Sequence, residues 1–188
     1  MRDAKAWRAW LAKHHADSSG VLVVLAKKGT TKPTTLTHGQ ALEDALCYGW
    51  IDGQASPRDE LTWRVRFTPR RRASMWSKRN TVIVAKLVDA GQMHAAGIAE
   101  VERAKAEGRW DVAYAGSAEI EVPPDLAAAL AARPKAQKMF DTLNKLNRYA
   151  VLYRVTTAKR PETRAQRIEK FVAMLAHGET IYPQKPRA

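Results

Sequence analysis

A pair of predicted strands joined by a tight turn places the strongest constraint on how this chain can fold. Apolar residues alternate with polar ones over 61–68, which is the pattern of a strand with one face on a core. The turn sequence SPRD (56–59) precedes this strand, and residues 50–55 precede the turn as a second strand. The two runs predict a half-buried β-hairpin, which the apolar run Val21–Ala26 is expected to extend into a small sheet.

Amphipathic patterns predict helices on both sides of this hairpin. The helix before the hairpin is expected to begin at Thr37, because Thr37 and Gln40 have the spacing of a capping box. The helix after it is expected to begin at Ser77, a candidate N-cap, and to end near residue 90. The remaining helices are predicted at about 3–15, 94–107, 124–132, 134–144, 147–158 and 161–178.

This order of elements predicts an α+β fold. A small antiparallel β-sheet, formed by the hairpin plus one strand, is covered by helices, and a C-terminal helical bundle follows. The expected organisation is an α+β domain over 1–113 that carries the candidate site, a linker over 114–123, a helical region over 124–178 and a tail over 179–188. The last eight residues, IYPQKPRA, are predicted to be unstructured.

The net charge of +13 and the pI near 10.1 have the clearest functional meaning in the composition. Such a charge suits a nucleic acid, a phospholipid surface or an anionic small molecule, but a solvated basic surface has the same composition. No apolar run approaches the roughly 18–20 residues that would cross a bilayer. The N-terminus lacks the apolar centre of a secretory signal, and a single cysteine fits a reducing compartment. We therefore expect a cytoplasmic protein without a transmembrane segment.

No recognised catalytic motif occurs in the sequence. A Walker loop, a dinucleotide glycine fingerprint and a GxSxG motif are all absent. The five histidines (14, 15, 38, 94 and 177) do not have the spacing of metal ligands. Cys47 falls near the apolar stripe of the second helix without a neighbouring histidine, so a core role is expected for it. The sequence therefore predicts no metal and no cofactor, and it leaves open whether the protein is an enzyme.

The stretch ALCYGWIDG (45–53), followed by RFTPRRRASMWSKRN (66–80), resembles the YdeI/OmpD-associated family, whose members are often labelled bacteriocin-protection proteins. The stretches at 20–28, 96–97, 108–110 and 158–170 support the resemblance, which covers roughly residues 5–178. It implies a cytoplasmic α+β domain followed by the helical segment associated with that family, and a role in stress or antimicrobial protection rather than a particular reaction. The basic run 70–74 is richer in arginine than the family pattern.

Several polar and aromatic residues between 45 and 80 are not needed to explain the fold. Arginine can clamp carboxylates or phosphates and stack on indoles, and the exposed N–H groups of a helix start favour anions. We therefore predict a pocket for an anionic or aromatic ligand here. Its members are Trp50, Asp52, Arg66, Arg70, Trp76, Ser77 and Asn80.

Asp52 has two interpretations. It lies in a predicted strand beside a partner strand that carries Arg64 and Arg66, and the hairpin register is open, so either arginine is a candidate partner. In the first interpretation, Asp52 and the arginine form a structural cross-strand ion pair. In the second, the arginine holds the Asp52 carboxylate in a partly dry site, where the carboxylate acts as a base or orients a ligand.

Three functions follow from these residues. The first is a cytoplasmic protein that binds a small anionic or aromatic molecule, or acts in stress or antimicrobial protection. The second is a metal-independent acid–base enzyme, with Asp52 as the base and Arg66 or Arg70 stabilising developing negative charge. The third is a nucleic-acid-binding module that uses the dispersed basic surface, which we favour less.

Overall fold

Residues 1–185, which the computed structural model describes, form eight helices and three strands. The chain divides into two compact units, Met1–Ala113 and the chain from Tyr114 onward. The predicted α+β fold with a helical C-terminal part is confirmed. The first unit contains α1 (Ala4–His14), β1 (Val21–Ala26), α2 (His38–Cys47), β2 (Trp50–Pro57), β3 (Thr62–Pro69), α3 (Lys78–Asp89) and α4 (Ala95–Ala106). The second contains α5 (Pro124–Ala131), α6 (Pro134–Asp141), α7 (Lys145–Thr156) and α8 (Pro161–Ala176).

The three strands form an antiparallel sheet in the order β1-β3-β2, so the last strand in sequence is central. In the hairpin, Trp63 lies opposite Pro57 and Phe67 lies opposite Asp52, with an irregularity in β2 between these pairs. The alternation predicted over 61–68 is confirmed at Val65 and Phe67, which are buried in the core of the unit. The intervening residues therefore point to the opposite face of the sheet. The alternation is wrong at the start of the run, where Leu61 is 57% exposed and Thr62 is fully buried.

Helices α1 and α2 cover the buried face of the sheet. Trp7 and Leu11 of α1 are completely buried, and the Trp7 indole donates a 3.0 Å hydrogen bond to the carbonyl of Ala41 in α2. Helix α4 meets the end of α2 at Gly97, where an added Cβ would lie 2.2 Å from the Cys47 carbonyl oxygen. Only a glycine allows these two helices to approach so closely.

Both predicted helix starts have their caps in place. The Thr37 amide donates to Gln40 Oε1 over 3.0 Å, and the Gln40 amide donates to Thr37 Oγ1 over 3.4 Å, so the capping box before α2 is confirmed. Ser77 Oγ accepts a 3.2 Å hydrogen bond from the Asn80 amide and caps α3. These bonds satisfy amides that the helices cannot satisfy internally.

The four helices of the second unit share a core of apolar side chains that includes Leu130, Phe140 and Val151. Arginines of α8 complete the end of α7: Arg164 donates to the carbonyl of Val155 over 3.2 Å, and Arg167 donates to the carbonyl of Arg154. These basic side chains therefore add hydrogen bonds to carbonyls in the last turn of α7.

Hydrogen bonds hold the residues after α8 in place as far as residue 184. The Asn147 side chain donates to the carbonyl of Tyr182 over 3.0 Å and accepts from the Tyr182 amide over 2.9 Å. Gln184 Oε1 accepts a 3.1 Å hydrogen bond from the Asn144 amide. The prediction of an unstructured end is therefore wrong for residues 181–184, because these bonds anchor the segment to α7. Its last part, residues 186–188, lies outside the described residues.

Candidate functional site

Asp52 is paired with a histidine. Its Oδ2 lies 3.0 Å from Nε2 of His38, the first residue of α2. About a quarter of each side chain is exposed, 28% for Asp52 and 23% for His38, so the pair is accessible from solvent. The prediction that Asp52 pairs with an arginine of β3 is wrong. Asp52 lies opposite Phe67 and shares its face, whereas Arg64 and Arg66 point to the other face.

His38 is held from two sides. The capped start of α2 fixes its backbone, and its ring lies against the indole of Trp63, with 5.4 Å between ring centroids and 37° between planes. A carboxylate on one imidazole nitrogen fixes the orientation of the ring. The Asp52–His38 pair therefore has the arrangement of an oriented general base, or of a polar anchor for a ligand.

Trp63 also forms the wall of a neighbouring cleft. The cleft has a volume of about 400 Å³ at the turn end of the hairpin. Lys27, at the end of β1, lines it and donates from Nζ to the carbonyl of Asp59 over 2.9 Å. An indole wall with an ammonium group nearby suits a flat ligand that carries negative charge. The residues lining the cleft are Lys27, Ala55, Ser56, Pro57 and Trp63.

Two tryptophans predicted for the site belong to the core. Trp50 is 1% exposed, and its indole donates a 3.0 Å hydrogen bond to the carbonyl of His15. Trp76 is 2% exposed and packs against Trp110, with 4.9 Å between ring centroids. Neither ring has a surface left for a ligand, so both serve packing.

Arg70 and Trp76 are brought together as predicted, but in a buried contact. The guanidinium carbon of Arg70 lies 3.6 Å from the Trp76 ring centroid, and Arg70 is only 6% exposed. Arg70 also donates to the carbonyl of Met75 over 3.3 Å. Ser77 follows as the cap of α3, and Asn80 is buried in its first turn. These four residues stabilise the start of α3. Asp52 and Arg66 do not join them, because they lie on β2 and β3.

Glu107 compensates part of the charge of the basic turn after β3. Its carboxylate accepts a 2.7 Å hydrogen bond from Arg109 and a 3.0 Å hydrogen bond from Arg72. These two bonds, that from Arg109 first, lower the pKa of Glu107 below its ordinary value. Arg109 also donates to the carbonyl of Ser74 over 3.1 Å and so fixes the turn. The turn is therefore a structural element whose charge is partly compensated.

Cys47 is fully buried beside α1. The guanidinium of Arg8 lies 3.9 Å from its sulfur and 2.6 Å from Asp44 Oδ1. Burial raises the pKa of the Cys47 thiol, although the hydrogen bond from Arg8 acts in the opposite direction. A neutral, buried thiol is a poor nucleophile, which agrees with the core role expected for it.

The described residues contain neither a metal-binding cluster nor a membrane span. Over 1–185, histidine, cysteine and acidic side chains form no group of three or more that could hold a metal ion. In the same range, no helix has the length and apolar composition needed to cross a membrane.

His38 and Trp63 are the residues of this site that the sequence pattern did not single out. A usable signal was the short connection between α2 and β2, which consists of Tyr48 and Gly49 only. So short a link requires the helix and the strand to be neighbours, which makes the polar residues of α2 candidate partners for Asp52.

Two family models match the chain over separate stretches. Residues 1–100 match the family described as domain of unknown function (DUF8412). Residues 119–178 match the family described as bacteriocin-protection, YdeI or OmpD-associated, which confirms the resemblance but places it on the helical segment. No curated protein and no solved structure is significantly similar to the chain. The chain thus belongs to the DUF8412 family through its first 100 residues, and it carries a YdeI/OmpD-associated segment over residues 119–178.

Proposed function

We propose that this protein binds a small anionic aromatic molecule in the cleft beside Trp63, as part of a stress or antimicrobial-protection function in the cytoplasm. The protective role rests on the bacteriocin-protection description of the family that matches residues 119–178. The binding role rests on one observation above all. The Asp52–His38 pair, joined at 3.0 Å and partly exposed, shares Trp63 with an open cleft of about 400 Å³.

The lining of the cleft supports a ligand with a flat ring and a negative group. The Trp63 indole offers a face for stacking, while Lys27 supplies a positive charge. Of the seven residues predicted from the sequence, Asp52 is the one that this site retains, with His38 as its partner.

Titration calorimetry with 1-naphthoate, an aromatic carboxylate, tests this proposal. We expect saturable binding by the full chain, at least a tenfold loss of affinity in Trp63→Leu and a several-fold loss in Lys27→Gln. Lys28→Gln is the matched control, because Lys28 is exposed next to Lys27 and does not line the cleft. No heat of binding, or equal losses in the two lysine variants, would overturn the proposal.

A second candidate function is acid–base catalysis, which the Asp52–His38 geometry specifically favours. In this role His38 takes the proton from an attacking water, and Asp52 holds the ring and stabilises its positive charge. Asp52 as the base, with Arg66 or Arg70 as the stabilising cation, does not fit this geometry. Arg66 points to the other face of the sheet, and Arg70 is buried against Trp76.

Hydrolysis of 4-nitrophenyl acetate, an aromatic ester, tests the catalytic role. We expect His38→Gln to lower the rate by about a hundredfold and Asp52→Asn to lower it while binding of 1-naphthoate is kept. His14→Gln is the control, since His14 lies 3.6 Å from Asp17 in a separate histidine–carboxylate pair. A rate that His38→Gln leaves unchanged, or that His14→Gln lowers equally, refutes catalysis at this site.

A further inference from the structure

The sheet has a face that the helices of the first unit do not cover. Helices α1 to α4 share one core with Val65 and Phe67 of β3, so residues 64 and 66 of this central strand point the other way. Leu22 of β1 pairs with Arg66, and this leucine is 50% exposed. We define the outer face by five residues of the three strands: Leu22, Val24, Ile51, Arg64 and Arg66.

The outer face carries positive charge without a carboxylate. The register places Leu22 and Val24 on one side of the two arginines and Ile51 on the other. Within residues 1–185, neither Arg64 nor Arg66 is part of an ion pair, and Arg64 donates one 3.2 Å hydrogen bond to the carbonyl of Pro57. A carboxylate of the described residues therefore neutralises neither charge, and Arg66 is exposed.

We propose that the outer face binds the phosphate backbone of single-stranded nucleic acid. Arg64 and Arg66 are two residues apart on an extended strand, and so about 7 Å apart along it. This separation is comparable to that of neighbouring phosphates in an extended single strand, and guanidinium groups bind phosphates through two parallel hydrogen bonds. The net charge of +13 attracts such a strand from a distance.

The shape and composition of the face favour a single strand over a duplex. The face of a sheet lacks the protruding helix or ribbon that enters a duplex groove. The aliphatic residues Leu22, Val24 and Ile51 contact sugars and base faces without reading their edges, and an aromatic platform is missing from these positions. Binding is therefore expected to be independent of sequence and strongly dependent on salt.

Fluorescence anisotropy with a labelled oligothymidylate tests this proposal on the full chain at increasing salt concentration. The wild-type affinity should fall linearly with salt on logarithmic axes. The double variant Arg64→Gln/Arg66→Gln should lower the slope by about 1.4, which is about 0.7 for each lost phosphate contact. Arg64→Lys/Arg66→Lys keeps both charges and should keep most of the slope.

The matched control is Lys135→Gln/Lys138→Gln. It removes the same charge from exposed positions on α6, and it should change the slope by clearly less than the arginine variant does. Absence of binding at low salt overturns the proposal. An equal loss of slope in the two double variants also overturns it, because it would show diffuse attraction to the whole surface. Tighter binding to polyglutamate or to anionic vesicles than to the oligonucleotide overturns it as well. Trp63→Leu should leave oligonucleotide binding unchanged, because the cleft lies on the other face of the sheet.

Discussion

The guanidinium of Arg70 lies over the indole of Trp76, with its carbon 3.6 Å from the ring centroid, inside the first unit. A cation held against an aromatic face away from water contributes about 2 kcal/mol or more. We expect Arg70→Met, which keeps the aliphatic stem but loses the charge, to lower the free energy of unfolding by about this amount. Urea unfolding followed by tryptophan fluorescence measures it, since all six tryptophans lie within the first 113 residues.

The neighbouring arginine supplies the control for this experiment. Arg71 is exposed, so Arg71→Met should change the free energy of unfolding by less than about 0.5 kcal/mol. If the two variants are equally stable, the stack on Trp76 contributes nothing and the prediction is wrong.

Two helical glycines should respond to alanine with opposite signs. At Gly97 in α4, an added Cβ would lie 2.2 Å from the Cys47 carbonyl oxygen, so Gly97→Ala must push α4 away from α2 and should cost about 3 kcal/mol. At Gly39 in α2, no atom lies within 4 Å of the added Cβ, so Gly39→Ala should stabilise by up to about 1 kcal/mol. The same urea titration reports both, and a stabilised Gly97→Ala variant would contradict the close approach of the two helices.

The pair between Asp125 of α5 and Arg164 of α8 should stabilise the second unit in a pH-dependent way. Hydrogen bonds of 2.6 and 2.8 Å from Arg164 lower the pKa of Asp125 below its ordinary value. The contribution is therefore complete above the ordinary aspartate pKa, about 3.9, and is lost as the pH falls through the lower folded-state pKa. The pair is partly exposed, so Asp125→Asn should cost only about 0.7 kcal/mol at pH 7.

Hydrogen exchange of the α5 and α8 peptides, followed by mass spectrometry, measures this effect. The Asp125→Asn variant should exchange about three times faster than wild type at pH 7 and at the wild-type rate well below the folded-state pKa. Glu119→Gln, an exposed change in the same unit, is the control and should have no effect. A difference that persists unchanged at low pH would assign the effect to packing instead of charge.

Cys47 should react slowly with iodoacetamide. Burial raises the pKa of its thiol, so the thiolate fraction is smaller in the folded protein than in the unfolded chain. We expect alkylation at pH 8 to be at least about tenfold slower than in concentrated urea, with a pH profile displaced to higher pH. Arg8→Gln should displace the profile further, because Arg8 lowers the pKa of this thiol. A native profile at lower pH than the unfolded one would contradict this account.

The local signals of the sequence were sufficient for most of the fold. The alternation in β3, the capping box at Thr37 and the cap at Ser77 each act within a few residues, and each is present in the structure. The limits of the sixth and seventh helices were predicted less accurately. The apolar pattern extends α6 to residue 144 and begins α7 at 147, whereas Asn144 caps α7, which begins at Lys145. The C-terminal end was wrong because it depends on a bond between Asn147 and Tyr182, which are distant in sequence.

The candidate site was harder to predict because it depends on the hairpin register. The register decides that Asp52 shares the face of Phe67 and meets His38, while Arg66 points away. A register shifted by one residue would have paired Asp52 with residues of the other face of β3. The composition of the strands is the same in both registers and cannot distinguish them. The burial of Trp50 likewise depends on a contact distant in sequence. Its indole donates a hydrogen bond to the carbonyl of His15, at the end of α1.

Because β3 lies between β1 and β2 and is synthesised after both, the order of strands sets a condition on folding at the ribosome. The apolar β1 has no neighbour to pair with until the chain through Pro69 has emerged. A nascent chain that stops before Thr62 can form α1 and α2 but no sheet, so its β1 should be open to proteases. Emergence of the last strand then joins both earlier strands in one step, and protection of β1 and β2 should appear at the same chain length.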